Sequence, residues 1–119
     1  MIFIGDLLDL KDRNLYLMKD GKKIPMSLNF YVADNIFFFE INDHIKLHTL
    51  DELRTILEEE AEDNCWSDDI YIAPMERISN CEIRFPKDFS EVTQNDVFDN
   101  CYIVTHIDTT MDDIIIHLK

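Results

Sequence analysis

The sequence predicts an α+β domain: a largely antiparallel β-sheet with one main amphipathic helix, at about residues 50–63, packed on one face. Short segments of strand-like composition, separated by turn residues, occupy both halves of the chain. Between them, a single stretch repeats its apolar residues at helical spacing. Strands on both sides of one long helix are typical of the α+β class.

The first half of the chain predicts two β-hairpins. Leu15–Met18 and Lys23–Met26 flank Asp20-Gly21, and Asp-Gly at a tight turn is the strongest short hairpin signal. Leu28–Val32 and Ile36–Ile41 flank a second turn that contains Asp and Asn. The strand Ile36–Ile41 includes three consecutive phenylalanines, so both of its faces are apolar. This pattern predicts a central strand covered on both sides.

A short strand at Ile45–Leu47 is expected before the main helix, Leu50–Asp63. Thr49 and Glu52 match a capping box, in which the threonine oxygen accepts a backbone hydrogen bond and the glutamate reaches back to the cap. The face opposite the apolar residues is strongly acidic. The apolar stripe, at helical spacing, consists of Leu50, Leu53, Ile56, Leu57 and Ala61.

The second half of the chain returns to strands. Ile70–Ala73 is predicted as a strand, and Cys81–Phe85 alternates apolar and polar residues as a half-buried strand does. Tyr102–Ile107 and Ile114–Leu118 predict a third hairpin. A short helical turn is expected within Ser90–Phe98.

Length and composition predict one folded domain, 1–119. Apolar residues make up 46% of the 119 residues, which favours a packed core over a disordered acidic tail. The sequence contains no secretory signal and no apolar run long enough to span a membrane, so we expect a cytoplasmic protein without membrane contact. Cys65, Cys81 and Cys101 form no CxxC motif and are expected to be reduced thiols.

Charge is distributed unevenly along the chain. Residues 1–46 hold six Lys or Arg against seven Asp or Glu, whereas residues 47–119 hold five against eighteen. The formal net charge is −14. Such a surface repels nucleic acids and anionic membranes and attracts cationic surfaces. We therefore expect a basic protein as the partner, and no nucleic acid.

The sequence contains no recognisable catalytic motif. Its two glycines exclude a phosphate-binding glycine loop, and it has neither a Gly-x-Ser-x-Gly elbow nor a metalloprotease His-Glu motif. His106 and His117 could meet across the last hairpin, with Cys101 nearby, as a zinc site or as a Cys–His nucleophile. No spacing enforces either arrangement, so neither a metal site nor a cofactor is predicted.

These features predict a small acidic inhibitor or immunity protein rather than an enzyme. It would neutralise a basic bacterial toxin by covering the cationic active site with carboxylates, and a nuclease is the leading candidate for that toxin. Trp66 would add an aromatic hot spot within a ring of carboxylates. The residues expected to bind the partner are Glu58, Glu59, Glu62, Asp63, Trp66, Asp68, Asp69, Asp112 and Asp113.

Three other functions fit the same sequence. A phage-encoded mimic of nucleic acid that blocks a host defence nuclease would present the same surface. An acidic assembly subunit would bind its partner without inhibiting it. A small metal-dependent hydrolase would use Asp68, Asp69 or a histidine, although adjacent carboxylates arise by chance in so acidic a chain.

Overall fold

The computed structural model describes residues 2–42, 45–63, 74–87 and 100–119. Within these ranges the chain forms eight strands and three helices. In chain order they are α1 (Ile4–Leu8), β1 (Asn14–Lys19), β2 (Lys22–Pro25), β3 (Phe30–Ala33), β4 (Ile36–Phe39), α2 (Leu50–Asp63), α3 (Pro74–Ser79), β5 (Glu82–Pro86), β6 (Cys101–Tyr102), β7 (Val104–Thr109) and β8 (Asp113–Leu118).

The strands form two four-stranded sheets, in the orders β2-β1-β8-β7 and β3-β4-β5-β6. Each sheet consists of two antiparallel pairs joined by a parallel pair of inner strands, β1 with β8 in the first sheet and β4 with β5 in the second. The first sheet combines strands from the two ends of the described chain, and the second combines strands from its middle. The predicted α+β class with mostly antiparallel pairing is confirmed.

All three predicted hairpins are present. Asp20 and Gly21 form the first turn, with φ of 50° and 75°, and Asp34 and Asn35 form the second, with φ of 50° and 63°. Positive φ at both central residues gives a turn whose twist matches that of antiparallel strands. Gly, Asn and Asp tolerate this backbone region better than other residues do. The third hairpin joins β7 to β8.

Side chains from both sheets meet in one hydrophobic core. Phe37, Phe38 and Phe39 have no exposed surface, as expected for a central strand covered on both sides. The ring centroid of Phe39 lies 5.5 Å from that of Phe30 and 5.9 Å from that of Phe85. These separations are those at which tilted aromatic rings attract one another, so β4 holds the second sheet together as well as filling the core.

Helix α2 begins and ends where the sequence predicts. The capping box is formed, because the Thr49 amide donates to Glu52 Oε2 at 3.2 Å and the Glu52 amide donates to Thr49 Oγ1 at 3.4 Å. A hydrogen bond with His48, and then the one from Thr49, lower the pKa of the Glu52 carboxyl. Ile56 is half-buried. The rest of the predicted apolar stripe enters the core: Leu50, Leu53, Leu57 and Ala61.

The expected strand at Ile45–Leu47 is wrong: these residues form neither strand nor helix. The chain reaches β1 just beyond them, where the Leu15 amide donates to the His48 carbonyl oxygen at 2.8 Å and Thr49 forms an isolated bridge with Asn14. Because α2 begins at the next residue, the pairing cannot extend into a ladder. The expected strand Ile70–Ala73 and the helical turn within Ser90–Phe98 lie outside the described residues.

Two short helices, α1 and α3, are not predicted by the sequence. Each has fewer than two turns, too few for a helical period to be recognised. None of the described helices is long and apolar enough to cross a membrane. Cys81, which follows α3, is a buried free thiol, and burial raises its pKa.

Helices α1 and α3 approach each other closely at Gly5. A Cβ atom there would lie 2.7 Å from the carbonyl oxygen of Ser79 and 2.9 Å from its Cβ. We expect Gly5→Ala to lower the free energy of unfolding by about 1–2 kcal/mol, because the two backbones must separate. Urea denaturation measures this change, with Asp9→Ala at the exposed end of α1 as the control. Equal denaturation midpoints for the two variants would contradict the close approach.

Candidate functional sites

The outer face of α2 carries several of the carboxylates that the sequence singles out. Glu58 and Glu59 are exposed, and within the described part of the chain neither has an ion pair or hydrogen bond through its side chain. Glu62 and Asp63 belong to the helix, although their side chains are not among the parts described. No basic residue occupies the last turn of α2, so its carboxylates add to the negative end of the helix dipole.

The carboxylates in the first turn of α2 are compensated within the molecule. Asp51 Oδ1 lies 2.7 Å from Arg54 Nη1, and Glu52 Oε2 lies 2.7 Å from His48 Nδ1. The uncompensated negative charge on this helix therefore lies in its later turns, with Glu58 and Glu59.

Of the other residues predicted to bind a partner, the structure describes Asp112 and Asp113, and it does not bring these two to the later turns of the helix. Asp112 is exposed in the turn of the third hairpin, and Asp113 accepts hydrogen bonds from Lys23 at 3.2 Å and from Asn14 at 3.3 Å. Asn14 also bridges to the residue before α2, so this turn lies near the start of the helix. Trp66, Asp68 and Asp69 lie outside the described residues.

A groove of about 500 Å³ runs along α2. Its other wall is the segment Ser27–Asn29, between β2 and β3. Ile56 and Leu28 give the groove apolar surface, and Glu52 places a carboxylate on it. Glu59 lies one turn beyond Ile56 on the same side of the helix, since residues three and four apart share a face. The groove thus combines apolar surface with one carboxylate, Glu52, and Glu59 lies one helical turn beyond the residues that line it.

The last hairpin brings two histidines and a carboxylate together. His106 pairs with His117 across the strands, and their rings stack with centroids 4.0 Å apart and planes inclined by 12°. Asp108 follows on the same face of β7, because side chains two residues apart in a strand share a face. Its Oδ2 lies 2.7 Å from His117 Nε2 and 3.5 Å from His106 Nε2. We call these three residues the hairpin cluster.

The sequence anticipates the two histidines of this cluster but not its third member. Cys101 is not among the three residues whose ligand atoms lie within 4.8 Å of one another. Asp108 is the third residue of the group. The sequence contains a signal for it, because extending the predicted strand Tyr102–Ile107 by one residue places His106 and Asp108 on the same face.

A β-bulge adds a second polar contact to the cluster. The register shifts between Val104, which pairs with Leu118, and His106, which pairs with His117. Thr105 is the extra residue, and its hydroxyl lies 3.0 Å from His106 Nδ1 and donates to the His117 carbonyl oxygen at 3.3 Å. Bulges re-aim side chains in this way beside functional sites.

The cluster lies on the face of the first sheet opposite the core. Ile116 is buried, so His117, the next residue in β8, points the other way. Met18 is the register neighbour of His117 on β1. Imidazole nitrogens and a carboxylate oxygen in this arrangement can bind a cation or exchange a proton.

Comparisons with protein-family profiles, with curated proteins and with solved structures find no match to this chain.

Proposed function

We propose that the protein is a binding module that neutralises a basic protein, in the first instance a nuclease, by occupying its cationic site, as a small inhibitor or immunity protein does. The observation that supports this most directly is the groove beside α2, because its walls suit a lysine or arginine side chain. Both side chains have a long apolar stem and a charged end. The stem would lie against Leu28 and Ile56, and the charged end would reach past Glu52 toward Glu59, one turn further along the helix.

Charge supports the same proposal at longer range. The net charge of −14 attracts a cationic partner before contact is made, which speeds association. Glu58 and Glu59 enhance this attraction locally, since no ion pair within the described ranges compensates them. A nuclease presents cations where phosphates bind, so carboxylates on a folded scaffold compete for the same place.

Reversing the charge of Glu59 is expected to weaken binding of an arginine-rich peptide at least about tenfold, a loss of about 1.4 kcal/mol. The reason is that Glu59 lies one helical turn beyond Ile56, which lines the groove, and has no ion pair among the described residues to compensate it. Fluorescence anisotropy of a labelled peptide measures the affinity of wild type and Glu59→Lys. The difference should shrink as salt is added, because ions screen exposed charges.

The matched control is Glu76→Lys, which changes the net charge equally at an exposed position on α3. Equal losses for both variants would show that only overall charge matters and that the groove is not the site. The partner itself is then sought by capture from a lysate with wild type and Glu59→Lys as parallel baits. A purified basic enzyme that wild type inhibits and Glu59→Lys does not would establish the inhibitor.

A further inference from the structure

We infer that the hairpin cluster binds a divalent late transition-metal ion, with Zn²⁺ the expected ion, through His106 Nε2, His117 Nε2 and a carboxylate oxygen of Asp108. The site is separate from the groove beside α2. Its existence does not depend on the function proposed above.

The donor atoms suit zinc. Zinc binds imidazole nitrogen and carboxylate oxygen, and three protein ligands leave a fourth position for water or for a ligand from another molecule. Imidazole also favours zinc, copper and nickel over calcium and magnesium, which bind oxygen ligands. Within the ranges that the structure describes, this is the one group of three potential ligands so close together.

The distances between the donors fit a shared ion. Two ligands held at about 2.1 Å from one ion, at angles between a right angle and the tetrahedral angle, lie about 3.0–3.4 Å apart. Asp108 Oδ2 is 3.5 Å from one imidazole Nε2 and 2.7 Å from the other. A shared ion would therefore require shifts of only a few tenths of an ångström in these two separations.

The Nε2 atom of His117 is in a position to bind an ion. It is shielded from solvent and, among the described residues, has no hydrogen bond of favourable angle, although Asp108 Oδ2 is 2.7 Å away. A buried nitrogen without an aligned partner loses free energy relative to one in water. An ion placed between the imidazole and the carboxylate would satisfy both groups.

Thr105 contacts the other ring nitrogen, Nδ1, of the His106 imidazole. Its hydroxyl has one proton and donates it to the His117 carbonyl oxygen. With its proton on that bond, the hydroxyl oxygen can accept from His106 Nδ1, which fits the imidazole tautomer that is protonated at Nδ1. That tautomer leaves the lone pair on Nε2, the atom that faces Asp108. Fixing the tautomer of a ligand histidine through its other nitrogen is a common feature of metal sites.

One adjustment is needed for binding. The two imidazoles are stacked with nearly parallel planes, so their lone pairs run side by side and do not converge. The side chain of His106 is 57% exposed and that of Asp108 is 59% exposed, so both can change rotamer without displacing core residues. The side chain of His117 is only 24% exposed, so we expect it to keep its position while those of His106 and Asp108 rotate toward the ion.

The test is calorimetric titration of the purified, reduced protein with Zn²⁺. We expect one ion per chain for wild type, and at least about tenfold weaker binding for His117→Gln and for Asp108→Asn. His48→Gln is the matched control, because His48 pairs with Glu52 elsewhere and its loss should leave the affinity unchanged. No binding by wild type, or equal affinities for wild type and His117→Gln, would overturn the inference.

A second measurement distinguishes Zn²⁺ binding at the hairpin cluster from Zn²⁺ binding by the cysteines. Long-range ¹H–¹⁵N spectra of the imidazoles should show Zn²⁺ moving the Nε2 signals of His106 and His117 and leaving those of His48 in place. Zn²⁺ should also raise the Tm of wild type but not of His117→Gln, because a ligand that binds only the native state stabilises it. Unmoved His106 and His117 signals despite bound Zn²⁺ would place the ion elsewhere and overturn the inference.

Discussion

Replacing Phe39 with alanine is expected to lower the free energy of unfolding by about 3–5 kcal/mol. The ring has no exposed surface and lies against three other phenylalanine rings, Phe30, Phe37 and Phe85. Truncation removes the transfer free energy of the ring and leaves a cavity, and its neighbours cannot all move inward because each belongs to a strand of the second sheet.

Urea denaturation followed by circular dichroism measures this loss. The control is Phe3→Ala, since Phe3 is 40% exposed and its ring contributes less buried surface. A Phe39→Ala variant less destabilised than Phe3→Ala would contradict the central place of β4 in the core.

The second large effect is expected at Arg54, whose replacement by alanine should cost about 3 kcal/mol of stability. One guanidinium nitrogen, Nη2, donates to the carbonyl oxygens of Leu8 and Leu10, and the other, Nη1, pairs with Asp51. The side chain thus ties the end of α1 to α2. Without it, two half-buried carbonyls lose a charged donor, and hydrogen bonds to charged groups are the stronger ones.

Arg54→Lys separates charge from geometry. Lysine retains the positive charge but presents a single ammonium instead of a planar guanidinium. It therefore cannot contact Asp51 and the two carbonyl oxygens at the same time. We expect most of the stability loss to remain in this variant, and we expect Arg77→Ala, at an exposed position on α3, to have little effect. Full stability of Arg54→Lys would show that the hydrogen bonds from Nη2 to the two carbonyls do not stabilise the fold.

The parts of the fold that the sequence predicts are those with local signals. Asp20-Gly21 specifies its hairpin through backbone preference alone, and α2 is specified by its cap and its apolar stripe. The parallel pairing of β1 with β8 has no such signal. Several strands of this chain have a similar pattern of apolar and polar residues, and the pattern does not specify which distant strands pair. Arg54 illustrates the same limit, since nothing near it in sequence indicates that it binds the carbonyls of Leu8 and Leu10.

The candidate sites also combine features that have a local sequence signal with features that depend on residues distant in sequence. Helical spacing alone puts Glu52, Ile56 and Glu59 on one side of α2, but the opposite wall of the groove comes from Ser27–Asn29, far from them in sequence. The pairing of His106 with His117 follows from the third predicted hairpin, which places these two residues opposite each other. The contribution of Thr105 depends on a bulge, which shifts the register by one residue without a recognisable sequence signature.

The pairing of β1 with β8 also determines the order in which the chain can fold. Asn14 and Asp113, which begin these strands, are 99 residues apart in sequence. During synthesis the first hairpin therefore leaves the ribosome with one edge of β1 unpaired, and that edge is not covered until β8, 99 residues later, has been made. Contacts between such distant residues slow folding. An open apolar edge is prone to aggregate, so early termination or cleavage that removes β8 should yield insoluble rather than partly active protein.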